Sequence, residues 1–136
     1  MEAQPNNSFK IQTIQIKKFD FCQTEKLIKN KQIKLEQTIE ANARKDDNQY
    51  AIQVNIGLLA KQDEKTLFYV KSIIIATIEV EANFQEDYLN NMVAIIYSYL
   101  RPMVAQMTAM AKLPLLDLPP MNLENFKVTI EENPKN

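Results

Sequence analysis

The sequence predicts an α+β fold in which a four-stranded antiparallel, curved sheet is covered on one face by one long, kinked helix. Two observations predict it. Apolar and polar residues alternate with the period of strands up to Val80, and a helical period then runs from Tyr88 to Ala111. Because 136 residues suit one domain, we expect a single domain over residues 1–136, with residues 1–8 and 131–136 as disordered tails.

The first strand is predicted from apolar residues whose alternation slips twice along the chain. Such slips indicate β-bulges, which place an extra residue in one strand and increase its twist and curvature. The residues that define this strand are Phe9, Ile11, Ile14, Ile16, Phe19 and Phe21.

The next two strands are predicted to form an antiparallel hairpin. Apolar and small residues fall at odd positions from Ile33 to Ala43 and at even positions from Tyr50 to Leu58. The polar residues 44–49 between them have the composition of a turn.

The fourth strand covers residues 66–80, which are rich in β-branched and aromatic side chains and follow the polar break 61–65. Its middle, Ile73 to Ile75, has the pattern of a segment that is buried on both faces or bent. Alternation of this kind requires that one face of the sheet is covered.

The cover is the predicted helix, which begins near Asn83 with Glu86 and Asp87 in its first turn. Its apolar residues extend beyond one face, so we expect the helix to contact two partners. Pro102 should kink or divide it by removing a hydrogen bond, and Pro114 should end it.

The composition leaves little material for catalysis. The chain has no histidine, a single glycine (Gly57) and a single cysteine (Cys22), so neither an imidazole-activated nucleophile nor a glycine-rich phosphate loop can be formed. The adjacent acids Asp46-Asp47 and Glu131-Glu132 lie in polar segments and are interpreted as solvated charges. We therefore predict a protein that is not an enzyme and that uses no cofactor or metal.

The charge and hydropathy patterns limit where the protein works and what it binds. The net charge is −1, no apolar run is long enough to cross a membrane, and the polar start lacks a signal-peptide pattern, which predicts a cytoplasmic protein without membrane insertion. Lysines are concentrated in the first half of the chain, but without interleaved aromatic residues they indicate a solvated sheet edge and no nucleic-acid partner.

Several segments, in this order, resemble the SecB family of protein-export chaperones over about residues 9 to 126. Residues 9–14 are similar to the first strand of that family and residues 64–68 to the entry to its fourth strand. Residues 96–101, Ile-Tyr-Ser-Tyr-Leu-Arg, are similar to a segment of its long helix, and the proline-rich residues 113–123 are similar to its exit segment.

The resemblance implies dimers that pair through an edge strand, often a tetramer assembled through helix packing, and an apolar groove that holds unfolded polypeptide clients. Methionine side chains adapt to many apolar surfaces, although the same helical spacing is typical of core and interface positions. Our predicted client-binding residues are Phe68, Tyr97, Tyr99, Met103, Met107 and Met110. Our predicted residues of a homo-oligomer interface, dimer or tetramer, are Phe9, Ile11, Ile96, Leu100 and Val104.

The sequence departs from the family where delivery of clients to the SecA motor is concerned. The export chaperones carry acidic residues on that surface, and the corresponding positions here are Lys18, Cys22, Tyr69 and Lys71. A reversal of charge opposes an electrostatic contact, so SecA is a doubtful partner. Residues 125–130 have the pattern of a short strand where the family has a helix.

The predicted function is therefore an ATP-independent holdase outside the export branch. Two alternatives remain open at the level of sequence. An adaptor or structural protein would use the same apolar helix only for assembly, and a carrier of a small apolar ligand would enclose a pocket between the sheet and the helix.

Overall fold

The sheet and the helix are formed by residues that the computed structural model describes, namely residues 9–114, 126 and 128–132. The predicted α+β architecture is confirmed, but the sheet has five strands and not four. The elements are β1 (Phe9–Gln23), β2 (Lys34–Asp46), β3 (Gln49–Gln62), β4 (Lys65–Val80), a short 3₁₀ helix (Glu86–Tyr88), α1 (Leu89–Met110) and β5 (Thr129–Glu132).

The strands follow the order β1-β4-β3-β2-β5 across the sheet. The hairpin between β2 and β3 is present as predicted, and a second hairpin joins β3 to β4. In the second hairpin both turn residues, Asp63 and Glu64, have positive φ. A type I′ turn requires positive φ at both central residues. This turn is favoured in two-residue hairpins because its twist matches that of the flanking strands.

The two predicted bulges of β1 are confirmed, and they explain why its apolar alternation slips. The register against β4 shifts between Ile11 and Thr13 and again between Ile16 and Lys18. Each shift returns the next apolar residue to the same side of the sheet. All of the apolar residues used to predict β1 therefore share the face that α1 covers, opposite Val80, Ile78, Ala76, Ile74, Ser72 and Val70 of β4.

The core lies between this face of the sheet and one face of α1. The helix contributes a buried stripe at helical spacing, formed by Leu89, Met92, Val93, Ile96, Tyr97, Leu100, Val104 and Thr108. Side chains at alternate positions of β3 and β4 complete the core, and Ile73 and Ile75 of β4 are half-buried on the opposite face. The opposite, outer face of the sheet carries most of the polar side chains of the strands.

The helix is not divided at Pro102, which is exposed and lies within the continuous helix from Leu89 to Met110. It ends in a Schellman motif. Lys112 has φ of 59°, its N–H donates to the carbonyl of Ala109, and the N–H of Leu113 donates to the carbonyl of Thr108. Leu113 is buried, so the end of the helix is fixed by both hydrogen bonds and packing.

The fifth strand corrects our expectation for the end of the chain. A short strand is present, but it spans Thr129–Glu132 and joins the sheet by pairing parallel to β2 at Asn42–Lys45. Glu131 and Glu132, which we expected in a disordered tail, belong to this strand. The other expected tail residues, 1–8 and 133–136, lie outside the described part of the chain.

The loop between β1 and β2 is held by one buried glutamine. The side chain of Gln62 accepts a hydrogen bond from the N–H of Ile28 at 2.9 Å and donates to the carbonyls of Ile28 at 3.0 Å and Lys31 at 3.1 Å. Because Gln62 lies at the end of β3, the loop is fixed to the sheet. Within the described residues, no helix has the length and apolar content needed to cross a membrane.

Candidate interaction surface

The face of α1 that points away from the sheet is almost free of charge. Arg101 is the one charged residue in the helix. Tyr99 is 49% exposed and Met110 is 70% exposed, and both are among the most exposed large apolar side chains of the described residues. A solvated helix normally carries charges on this face, so the composition is typical of a surface that contacts another chain.

Four of the predicted client-binding residues form one continuous stripe along a flank of this helix. Tyr99, Met103, Met107 and Met110 follow each other at intervals of three or four residues, which places them on the same side of α1. Met103 and Met107 are half-buried between the exposed ends of the stripe. We call these residues the methionine stripe.

Tyr97, the fifth predicted client-binding residue on the helix, lies in the core. Its side chain is 3% exposed, and its hydroxyl accepts a hydrogen bond from Nε2 of Gln37 on β2 at 2.6 Å. Burial raises the pKa of Tyr97 above its ordinary value, while the hydrogen bond from Gln37 and the charge of Arg101 oppose the rise. Tyr97 therefore connects the helix to β2 and offers little surface to a ligand.

Phe68 is also part of the core of the chain. Its ring is fully buried and stacks on the ring of Phe21, with the two centroids 5.1 Å apart and an angle of 26° between the ring planes. Since Phe21 belongs to β1 and Phe68 to β4, this pair helps to fix the edge strand to the sheet.

The predicted interface residues divide into two groups. Ile96, Leu100 and Val104 are fully buried between α1 and its own sheet, because they lie on the helix face opposite to the exposed one. Phe9 is half-buried and contacts the ring of Phe84 edge-on, and Ile11 is 36% exposed. The second group leaves apolar surface accessible beside β1, and the first group does not.

The apolar surface beside β1 extends further than we predicted. Ile16 is 41% exposed on the same face as Ile11, because α1 does not cover the sheet as far as its edge. In the described part of the chain β1 pairs only with β4, so the other side of β1 has free backbone donors and acceptors. The alternation of β1 places Ile16 on the face of the sheet that carries α1. It does not show how far this residue lies from the helix.

The four residues that we aligned with SecA-contact positions of the export chaperones lie together on the outer face of the sheet. Cys22 lies directly opposite Tyr69 in the register of β1 and β4, and Nζ of Lys71 lies 5.4 Å from the centre of the Tyr69 ring. A hydrogen bond with Cys22 is the main cause that raises the pKa of Tyr69. Lys18 forms an exposed ion pair with Asp20 at 3.4 Å.

The packing of the predicted strand after residue 125 beside β2 is a feature that we did not predict. Phe126, Val128 and Ile130 are half-buried and pack against the core beside β2. Nδ2 of Asn90, near the start of α1, donates to the carbonyl of Phe126 at 2.9 Å. An open cleft of about 380 Å³ lies between these apolar residues and the start of the helix, where Glu86, Asp87 and Asn90 line it. The alternation of Phe126, Val128 and Ile130 indicated the strand, but it did not show which edge of the sheet the strand joins.

The described residues contain no group of three or more histidine, cysteine or acidic side chains placed to hold a metal ion. A further cleft of about 510 Å³ is open to solvent at the far end of the sheet. It is lined by polar side chains, namely Gln32, Lys34, Glu36, Lys61, Asp63 and Glu64.

The chain has the architecture of a SecB-like protein. Its mostly antiparallel sheet carries one long helix across a single face, and an uncharged helix flank lies together with an edge strand, β1, whose outer side has no strand partner among the described residues. The chain belongs to the SecB family, described as preprotein translocase subunit SecB, which it matches over residues 2–130. It is 28% identical over 142 residues to the uncharacterized protein MJ0357 of Methanocaldococcus jannaschii, an alignment that covers 97% of this chain and 90% of the relative.

Two solved structures share the fold. The SecB-like chaperone Rv1957 of Mycobacterium tuberculosis, in complex with a ChAD peptide from the Rv1956 HigA1 antitoxin, matches with a TM-score of 0.69 and 15% identity, over 82% of this chain and 89% of that chain. A protein of unknown function from Streptococcus agalactiae matches with a TM-score of 0.52 and 12% identity, over 82% of this chain and 97% of that chain.

Proposed function

We propose that this protein is an ATP-independent holdase that binds unfolded or extended polypeptides. The observation that carries the proposal is the methionine stripe, an apolar and partly exposed flank on a helix with a single charged residue. Thioether side chains are unbranched and polarizable, so such a surface can pack against many different apolar segments. Membership of the SecB family and the peptide bound to its SecB-like structural relative support this reading.

The same surface features favour assembly into a homo-oligomer. The free edge of β1, with Ile11 and Ile16 exposed beside it, suits pairing with a second copy through the backbone and an apolar contact. The exposed face of α1 then remains for a second, helix-mediated contact, which would give a dimer or a tetramer. Phe9 and Ile11 stay in this proposed interface, whereas the buried Ile96, Leu100 and Val104 stabilise the protomer that forms it.

We further propose that the protein does not deliver its clients through SecA. Lys18 and Lys71 project from the outer face of the sheet at positions where the export chaperones carry acids. A partner surface that is complementary to acidic residues would be repelled there, which lowers the rate of encounter most strongly at low salt.

The holdase activity can be tested by the aggregation of a denatured model protein, followed by light scattering. We expect suppression at about one oligomer per client and no catalytic effect below that ratio, because binding without turnover consumes one site per client. A lack of suppression at several-fold excess would contradict the proposed function.

A charge in the methionine stripe should weaken this activity. Met110→Asp places a carboxylate where apolar client side chains would be desolvated, and an unpaired charge in such a contact is strongly unfavourable. Asn91→Asp is the matched control, since it adds the same charge to an exposed position of α1 outside the stripe. Equal suppression by both variants would show that clients bind elsewhere.

The contribution of the stripe to assembly is tested separately by sedimentation. Tyr99→Asp and Met103→Asp should shift the protein towards smaller species if the helix also forms an interface between copies. Unchanged sedimentation of both variants would assign the exposed flank to clients alone.

A further inference from the structure

The edge of β2 is only partly paired by β5. β2 spans Lys34–Asp46, and β5 pairs with it at Asn42–Lys45. Within the described residues, the part of β2 from Lys34 to Ala41 has no strand partner on this side. An unpaired strand edge offers a row of backbone donors and acceptors to any extended segment.

β5 occupies this edge in the manner of a bound peptide. It has 4 residues and pairs in parallel, whereas the rest of the sheet is antiparallel. The alternate residues Phe126, Val128 and Ile130 turn towards the core, and the backbone of the strand makes the remaining contact. This combination of backbone pairing with apolar side chains at every second position is the general form of β-strand addition.

The attachment of β5 is weak in comparison with the other strands. Parallel pairs are slightly less stable per residue than antiparallel ones, and a short strand at an edge opens at low free-energy cost. Val128 and Ile130 are only half-buried and line an open cleft of about 380 Å³, so the apolar side of the segment stays partly accessible. The side chain of Asn90 donates a hydrogen bond to the carbonyl of Phe126, and water can replace both partners of this bond when the segment leaves.

The geometry points to β5 as an internal occupant of a client site at the edge of β2, which an extended segment with apolar residues at alternate positions displaces. The inference rests on the proposed function and specifies both the class of client and a built-in competition for it. A client strand would take over the pairing at Asn42–Lys45 and could continue it along Lys34–Ala41, where its backbone gains partners that β5 does not use.

A reversible disulfide that fixes β5 to β2 tests the inference. Arg44 and Glu131 are register partners, and both are exposed on the outer face, away from the apolar contact. Adjacent strands lie about 4.8 Å apart, within the Cα separation that a disulfide allows. The double variant Arg44→Cys/Glu131→Cys is made in a Cys22→Ser background, so that only the new pair can form.

The ligand is a fluorescein-labelled peptide with the sequence of residues 126–132, Phe-Lys-Val-Thr-Ile-Glu-Glu, and binding is followed by anisotropy. We expect the oxidised protein to bind this peptide at least about tenfold more weakly than the same protein after reduction, because the fraction of molecules with a free edge sets the apparent affinity. Ile130→Asp, which weakens the docking of β5, should bind the peptide several-fold more tightly than the wild type.

The matched control is Ala51→Cys/Thr77→Cys, a pair of register partners on β3 and β4 that leaves β5 free. Oxidation of this pair should not change the affinity. Equal affinities of the oxidised and reduced Arg44/Glu131 variant would overturn the inference. A covalent dimer on a non-reducing gel would also overturn it, since β5 would then come from a second copy.

Failure of the inference and failure of the proposed function have different signatures. If the oxidised Arg44/Glu131 variant suppresses aggregation as well as the reduced one, clients are held without the edge of β2, which overturns the inference and leaves the holdase function on the methionine stripe intact. If reduction of the disulfide restores peptide binding and no form suppresses aggregation, the strand exchange is supported and the holdase function is refuted.

Discussion

Replacing Phe68 by alanine should cost a large part of the stability of the protein. The ring of Phe68 is fully buried in the core and stacks on Phe21, so the sequence-based expectation that it contacts clients competes with its role in the core. Removing a buried phenylalanine ring typically costs about 3–5 kcal/mol, of which the aromatic pair accounts for about 0.5–1.5 kcal/mol. Small domains have only about 5–15 kcal/mol in total.

The assay is urea unfolding followed by circular dichroism, at one protomer concentration for all variants, because assembly makes stability depend on concentration. With a dependence of about 2 kcal/mol per molar urea, a loss of 4 kcal/mol lowers the midpoint by roughly 2 M. The double-mutant cycle with Phe21→Ala should return a coupling of about 0.5–1.5 kcal/mol.

Met110→Ala is the control, since this side chain is 70% exposed and its loss should change stability by less than about 0.5 kcal/mol. If the alanine variant of Phe68 does not fold, Phe68→Leu keeps most of the volume and should cost less than about 1.5 kcal/mol. A change below about 1 kcal/mol for Phe68→Ala would refute the assignment of this ring to the core and return it to the client surface.

Two further predictions concern buried polar side chains. Gln62→Leu removes the three hydrogen bonds that hold the loop at Ile28 and Lys31. The free energy of unfolding should fall by about 1–3 kcal/mol, and trypsin should cleave the loop faster. Unchanged cleavage would contradict this role of Gln62. The pKa of Tyr97 is raised by burial, so its contribution to stability is complete below the unfolded value of about 10 and is lost as the pH rises through the folded value. The stability difference between wild type and Tyr97→Phe should therefore shrink above about pH 10 in urea titrations, and a constant difference would refute the assignment.

The parts of the fold that depend on local pattern were predictable from the sequence. Both bulges of β1 could be placed because each slip in the alternation has a single structural solution when all the apolar residues must share one covered face. The hairpin between β2 and β3 and the position of α1 followed for the same reason. These features depend on neighbours in the chain, which a pattern shows directly.

The parts that depend on distant contacts were harder to predict. The helix residues Ile96, Leu100 and Tyr99 are similar in apolar character, yet the first two face the sheet and the third faces away. The pattern showed that the apolar stripe was wider than one face, but the side that meets the sheet is set by tertiary packing. The alternation at residues 125–130 indicated a short strand, but its parallel pairing with β2 was missed because a pair of 4 residues between segments so far apart in the chain has no local sequence signal.

The distribution of packing supports the proposed displacement of β5 from an otherwise folded protein. The buried residues of the core all come from β2, β3, β4, α1 and Leu113, whereas Phe126, Val128 and Ile130 are only partly buried beside them. Loss of β5 therefore removes a peripheral contact and keeps the buried set intact. The proposed holding of extended chains needs this separation, because a client segment can replace β5 only if the stability of the sheet and helix does not depend on it.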